Sequence, residues 1–298
     1  MDGPYRQTVH SPRGWVSGFP RRSGTIGLDP RGSNRRGVRM NKMTARQLAN
    51  VLAVAATLVV NILANALPLN GLNTGEISDR FKVYFVPAGY VFSIWGLIYL
   101  GLVAFAIYQA LPRQRDNLRL ARVGYLFVLA CAANIAWLFL WHYEQFPLTL
   151  LAMAALLVFL TMIYLRLGIG RVGVVAAERW CVQIPFSVYL SWITVATIAN
   201  VTSLLDYLRW DGWGIAPEVW AVIMLLVAAG VAAAVGWTRG DAAYMLVIVW
   251  AFAGIAAKQQ STPVVATTAW AASGLVVVMI LVGWARARSK RIQAGQAA

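Results

Sequence analysis

Long apolar runs alternate with short polar connectors along almost the whole chain. Eight runs stand out, at about 46–67, 91–111, 122–142, 148–165, 183–205, 219–237, 242–257 and 264–285. A helix that crosses a bilayer needs roughly 20 apolar residues, and the seventh run, 16 residues long, is the shortest. Proline marks several edges: Pro68, Pro87, Pro112, Pro147, Pro217 and Pro263. Pro185 falls in the first turns of the fifth run, where a missing N–H costs least. In lipid every backbone polar group must be satisfied within the segment, so the pattern predicts helices rather than open strands. The expected fold class is all-α, a polytopic membrane helix bundle with about eight transmembrane helices.

Composition agrees. Of 298 residues, 59% are apolar and 12% charged, with a mean hydropathy of +0.63. A soluble domain carries about 25% charged residues, so this chain lacks the charge to coat a globule of its size. That excludes a soluble enzyme, a disordered protein and a collagen-like fibre. The two cysteines, Cys131 and Cys181, form no C-x-x-C, and two histidines, His10 and His142, are too few for a histidine metal site. No metal site and no catalytic residue is identified. His142, close to a helix end, is expected to face water at the interface.

A net charge of +15 would suggest nucleic acid, but the placement of the charges argues for topology instead. If the N-terminal side is called inside, the inner connectors and tails hold 22 of the 26 basic residues, leaving only Arg80, Lys82, Arg209 and Lys258 outside. Such an excess of Lys and Arg marks the cytoplasmic side. The expected localisation is the cell (plasma or inner) membrane, multi-pass, with both termini cytoplasmic. Residues 1–42, rich in Gly, Pro, Ser and Arg, are expected to form a disordered basic tail beside anionic lipid. A start of translation at Met40 or Met43 would explain the same composition. The tail has no aromatic platform beyond Tyr5 and Trp15, so no nucleic-acid partner is expected. Ala64-Asn65-Ala66 imitates a signal-peptidase site, but the preceding apolar stretch is too long for a signal peptide and the first helix is expected to stay.

No Asp, Glu, Lys or Arg lies well inside any run. Ion-coupled transporters place such groups at mid-depth, so coupled transport is disfavoured, as is acid–base or metal catalysis within the bilayer. Amide and aromatic residues remain. Asn61 and Asn65 share a face of the first helix. Phe92, Trp95 and Tyr99 share one on the second, Asn134, Trp137 and Trp141 one on the third, and Trp192 and Asn200 one on the fifth. Trp141 also stands where an interface anchor would. At ~1.5 Å per residue, Trp95, Trp137, Asn61, Asn134 and Asn200 lie ~6–12 Å from the outer helix ends and Trp192 ~20 Å. Four helices thus carry candidate ligand-facing residues, most of them in the outer half, as a pocket opening outward would require. Trp offers a flat stacking surface and one N–H donor, so a large planar amphipathic ligand suits the walls. Interface anchoring and helix–helix hydrogen bonding explain the same residue types. Helices six to eight are more apolar and are expected to be scaffold.

At these residues the sequence resembles the translocator protein family (TspO/MBR, tryptophan-rich sensory proteins). F-V-P-A-G-Y-V-F-S-I-W-G-L-I-Y, Phe85 to Tyr99, is similar to that family's W-x-P-P-x-W-x-F…W-x-x-x-Y. Asn134-Ile-Ala-Trp137 is similar to its N-x-x-W, and Pro185 with Trp192…Ala196-Thr197…Asn200 to its P…W-x-x-x-A-T-x-x-N. Phe85 and Tyr90 stand where the motif has Trp, and Ala88 where it has a second Pro. One residue is missing between Phe92 and Trp95, and three extra separate Pro185 from Trp192.

The resemblance covers about 46–206. It implies a TspO-like five-helix domain at 43–206; the last three apolar runs then read as three additional transmembrane helices at 207–287, a departure from the family's five, with a basic tail at 288–298. It adds Tyr90 to the candidate ligand-binding set and implies a pocket for porphyrin or sterol-like ligands capped by the first loop, 68–87. The expected function is an integral membrane receptor or binding protein for a planar hydrophobic ligand such as a porphyrin, with a sensory or carrier role. The alternative is an uncoupled transporter of a small amphipathic compound. The expected partners are the lipid bilayer and that small molecule, with a bound tetrapyrrole rather than any required cofactor. A homodimer remains open.

Overall fold

The computed structural model describes the backbone of residues 30–67 and 69–296, and side chains within 44–286 except Asn65 and Pro68, together with Ser289. Eight long helices follow one another: α1 (Pro30–Ala66), α2 (Ile94–Ala110), α3 (Leu126–His142), α4 (Phe146–Leu167), α5 (Ile184–Tyr207), α6 (Pro217–Arg239), α7 (Ala242–Lys258) and α8 (Pro263–Gln296). Among the described residues there is no strand. Six membrane-length apolar helices include all of these except α3 and α7. Those two are 17 residues each, the lower limit for a span. The chain is a polytopic helical membrane protein.

Two compact units divide at Arg39/Met40. In the first, residues 1–29 lie outside the described residues, while 30–39 have helical backbone where a tail without regular structure was expected. The backbone of 288–296 is likewise helical. The second unit holds the bundle.

The bundle has two ends. The basic end carries the connectors at 111–125, 168–175 and 240–241. The loop end carries the long connector 67–88 and the turns before α4, α6 and α8. Local chemistry sets the breaks: Pro217 and Pro263 each open a helix, and Gly168 and Gly240 close α4 and α6 in the left-handed conformation. Ahead of α5 the chain widens into a π turn, Arg179–Gln183. The turn sits just before Pro185, whose missing N–H leaves a carbonyl of that turn without its usual donor. Pro185 packs on Gly101 of α2, where an added Cβ would come within 2.9 Å of the ring.

α7 is more than apolar scaffold. A polar seam joins α5 to α7: Ser191 donates to the Tyr244 carbonyl (2.7 Å), and Tyr244 OH donates to Thr194 (2.9 Å). Asp241, buried at the α7 cap, accepts from Ser187 (2.6 Å), from Tyr164 OH (2.9 Å) and from the Tyr244 N–H. This carboxylate lies outside the apolar runs, so the sequence pattern alone gave it no role.

At the loop end α7 also holds the start of α2. The Ala88 N–H donates to the Gly254 carbonyl (3.1 Å), and Trp250 Nε1 donates to the Val91 carbonyl (3.1 Å). A Cβ at Gly254 would collide with Val91 Cγ2 and lie 3.2 Å from Pro87 Cβ. Gly254→Ala should therefore cost about 1–3 kcal/mol, read as a lowered Tm of the purified protein. Adding Val91→Ala should recover part of that loss, and Gly274→Ala, which meets open space, should be neutral. Equal Tm values for Gly254→Ala and Gly274→Ala would show that this contact is not tight.

Candidate functional site

Four helices are tied together by one hydrogen-bonded cluster. Asn61 of α1 donates to Asn134 Oδ1 of α3 (2.9 Å) and to its own Thr57 carbonyl (2.9 Å). Tyr99 OH of α2 donates to Asn61 Oδ1 (2.7 Å), and Asn134 Nδ2 donates to Tyr189 OH of α5 (3.1 Å). Asn61, Asn134 and Tyr189 are buried, so each amide group would be expensive to leave unpaired in lipid.

Above this cluster, toward the loop end, lie two adjoining chambers that share Thr74, Phe92, Trp95 and Trp137. The outer one, about 390 Å³, has Asn61 and Tyr99 on its wall, and Glu76 and Asp79 also line it. The inner one, about 50 Å³, is bounded by Trp141, Trp192, Ala196, Ala199 and Asn200 among others. The aromatic walls support one another. Trp95 stacks on Tyr99 (centroids 5.6 Å) and meets Trp192 edge-on (6.3 Å). Trp137 stacks on Trp141 (5.6 Å), and Phe92 meets Trp192 edge-on (5.8 Å). The indole N–H groups of Trp137 and Trp192 are both buried without an acceptor. An unpaired buried donor costs about 1–3 kcal/mol, and two of them border one chamber.

The connector between α1 and α2 forms the lid. Its short helix Thr74–Asp79 is fixed by a capping box in which Asn73 accepts from the Gly75 and Glu76 N–H groups and Glu76 accepts from the Asn73 N–H. Trp141 Nε1 donates to the Thr74 carbonyl (3.2 Å). His142 is fully buried, not water-facing as expected: its Nε2 meets Thr74 Oγ1 (3.1 Å), its Nδ1 meets the Leu69 carbonyl (3.3 Å), and its carbonyl accepts from Asn70. The lid, long enough to fold over α3, takes that ring out of solvent.

Three further ties hold the lid: Arg80 to Glu144, Lys258 to Asp79 (2.7 Å), and Tyr84 OH to Glu218 (2.8 Å). The bond to Glu218 pushes the Tyr84 hydroxyl pKa above its ordinary value.

The structure brings together Asn61, Phe92, Trp95, Tyr99, Trp137, Trp141, Trp192 and Asn200 around the chambers, with Asn134 beneath. Asn200 spends its amide on Thr149 of α4 (3.1 Å). Tyr90 lines neither chamber; it is 55% exposed and meets Trp250 of α7 edge-on (5.6 Å). The side chain of Asn65 lies outside the described residues. Tyr189 was not singled out from the sequence, although it lies three residues before Trp192 on the same face. Thr74 was missed as well, and nothing local in a polar connector marks it. Among the described residues, no group of three His, Cys, Asp or Glu side chains is placed to hold a metal.

The sequence pattern of the TSPO-like protein family matches residues 47–282. The chain belongs to this family. The match runs through α6, α7 and most of the apolar part of α8, well past the 46–206 over which the resemblance was read, so the last three helices are part of what this TSPO-like protein shares with its family. No curated protein and no solved structure matches the chain.

Asn134→Ala removes the acceptor of Asn61 and the donor to Tyr189 together. It should destabilise the detergent-solubilised protein by about 1–3 kcal/mol, seen as a lower Tm. Combined with Tyr189→Phe, the loss should be less than the sum of the two single losses. Strict additivity would show that these groups do not act as a unit.

Proposed function

We propose that this TSPO-like protein is a membrane receptor for a planar, hydrophobic ligand that carries a hydrogen-bond acceptor, with a porphyrin as the first compound to test. The observation that carries this reading is the pair of acceptor-less indole N–H groups, Trp137 and Trp192, on one aromatic chamber. A ring seated in the outer chamber against Trp95, with a nitrogen or carbonyl acceptor on the edge that reaches into the inner one, would satisfy those donors. Binding is favoured over transport because the Asn61–Asn134–Tyr189–Tyr99 cluster lies below the outer chamber. Binding is also favoured over catalysis because the acids at the mouth are engaged: Asp79 with Lys258, Glu76 in the capping box. The charge asymmetry supports a cytoplasmic basic end and an opposite, outward-facing lid.

Protoporphyrin IX titrated into purified protein should quench Trp fluorescence saturably. Trp95→Ala, Trp137→Ala and Trp192→Ala should each weaken binding about tenfold or more. Trp137→Phe and Trp192→Phe keep a stacking face but lose the donor and should cost roughly 3–10-fold; Trp270→Phe, on exposed α8, should be neutral. Normal affinity in all five pocket variants, with the fold intact, would sink this placement. The sidedness has its own test. In a background lacking Cys131 and Cys181, a cysteine at exposed Lys82 should react with an impermeant thiol reagent added to intact cells, and one at exposed Asp116 should not. The reverse pattern would invert the topology.

A further inference from the structure

A second concavity, independent of the aromatic pocket, opens on the side of the bundle. α2 and α7 meet at the loop end, where Val91 and Trp250 are joined, and part toward the basic end, with α5 forming the floor between them. The resulting groove, about 1350 Å³, has Ile94 and Leu97 on one wall, Leu246 and Val247 on the other, and Ile184 and Val188 on the floor. From Ala242 to Trp250 it follows nine residues of α7, about 12 Å at the helical rise. Half of a bilayer's hydrocarbon core is about 15 Å, so the groove matches one leaflet, the one that meets the basic end.

That end is cationic. Arg171, Arg179 and Arg239 line it, against a single carboxylate, Asp241. Asp241 is committed to Ser187, Tyr164 and the Tyr244 N–H. Arg239 is held by the Ile169 carbonyl and lies over the Tyr164 ring. Arg171 and Arg179 are exposed, and neither has a carboxylate partner among the described residues. The exposed Trp180 beside them is suited to the depth of lipid headgroups.

We infer that this groove binds an anionic glycerophospholipid of the leaflet at the basic end, its phosphate between Arg171 and Arg179 and an acyl chain along Leu97, Val188 and Leu246. Two guanidiniums without counter-ions at the mouth of an apolar, leaflet-deep channel are complementary to a phosphate joined to a hydrocarbon chain. A zwitterionic lipid brings its own cation to the same place and gains less.

The test is native mass spectrometry of the full chain released from detergent after incubation with palmitoyl-oleoyl phosphatidylglycerol or the matching phosphatidylcholine. Phosphatidylglycerol should be retained preferentially, at one molecule per chain. Arg171→Gln/Arg179→Gln should cut that retention about tenfold or more. The double variant Arg113→Gln/Arg115→Gln removes the same charge from exposed positions at the same end and should leave retention unchanged. Leu246→Trp, which fills the apolar channel, should also reduce retention, and excess inorganic phosphate should not displace the lipid. Equal retention of the two lipids, equal loss in both double variants, full retention in Leu246→Trp, or displacement by phosphate would each overturn the assignment. None of these outcomes bears on the aromatic pocket.

Discussion

Three hydrogen bonds between helices, deep in the apolar part of the bundle, organise this protein. Asn61, Tyr99, Asn134 and Tyr189 come from α1, α2, α3 and α5, and each finds its partner on another helix. In water such bonds would be optional. In lipid, nothing else nearby replaces a lost partner. The cluster therefore sets the rotation of four helices about their axes, and rotation decides which side chains face inward. Trp95, Trp137 and Trp192 reach one space because the amides and hydroxyls beneath them are paired.

The same constraint accounts for the lid. A connector of about twenty residues over a pocket has to satisfy its own backbone and stay in place. It does so through the Asn73–Glu76 capping box and through ties to the ends of α3, α6 and α7. Two of those ties reach helices beyond α5. The contact at Gly254 works in the same direction, since only a residue without a Cβ lets α7 approach the start of α2 so closely. α6 and α7 thus brace the mouth of the pocket. By parting from α2 toward the basic end, α7 also creates the lateral groove with its unpaired arginines.

Much of this was legible in the sequence because membrane helices are written in length and periodicity. The eight long helices follow from apolar runs, and the polar-aromatic faces from spacings of three, four and seven. Features that depend on which helix stands beside which were not legible. Tyr90 has the residue type and motif position of a pocket residue, yet it packs on Trp250 because α7 lies there. His142 reads as an interfacial residue until the lid folds over it. Asn200 is on the expected face, but its amide is taken by Thr149 of α4. Asp241 falls between apolar runs, so its burial depends on Tyr164 and Ser187 arriving from two other helices.

Two indole N–H groups, those of Trp137 and Trp192, are buried beside the aromatic chamber without an acceptor. The most direct measurement is a nitrogen–proton correlation spectrum of protein labelled at the indole nitrogens of its 13 Trp residues, followed through a protoporphyrin IX titration. The Trp137 and Trp192 signals, assigned by their loss in the Phe variants, should shift together along one saturable titration curve as their protons gain an acceptor and enter the field of the porphyrin ring current. If both stay fixed while the compound binds, or if no signal responds at saturating ligand, the chamber is not the ligand site.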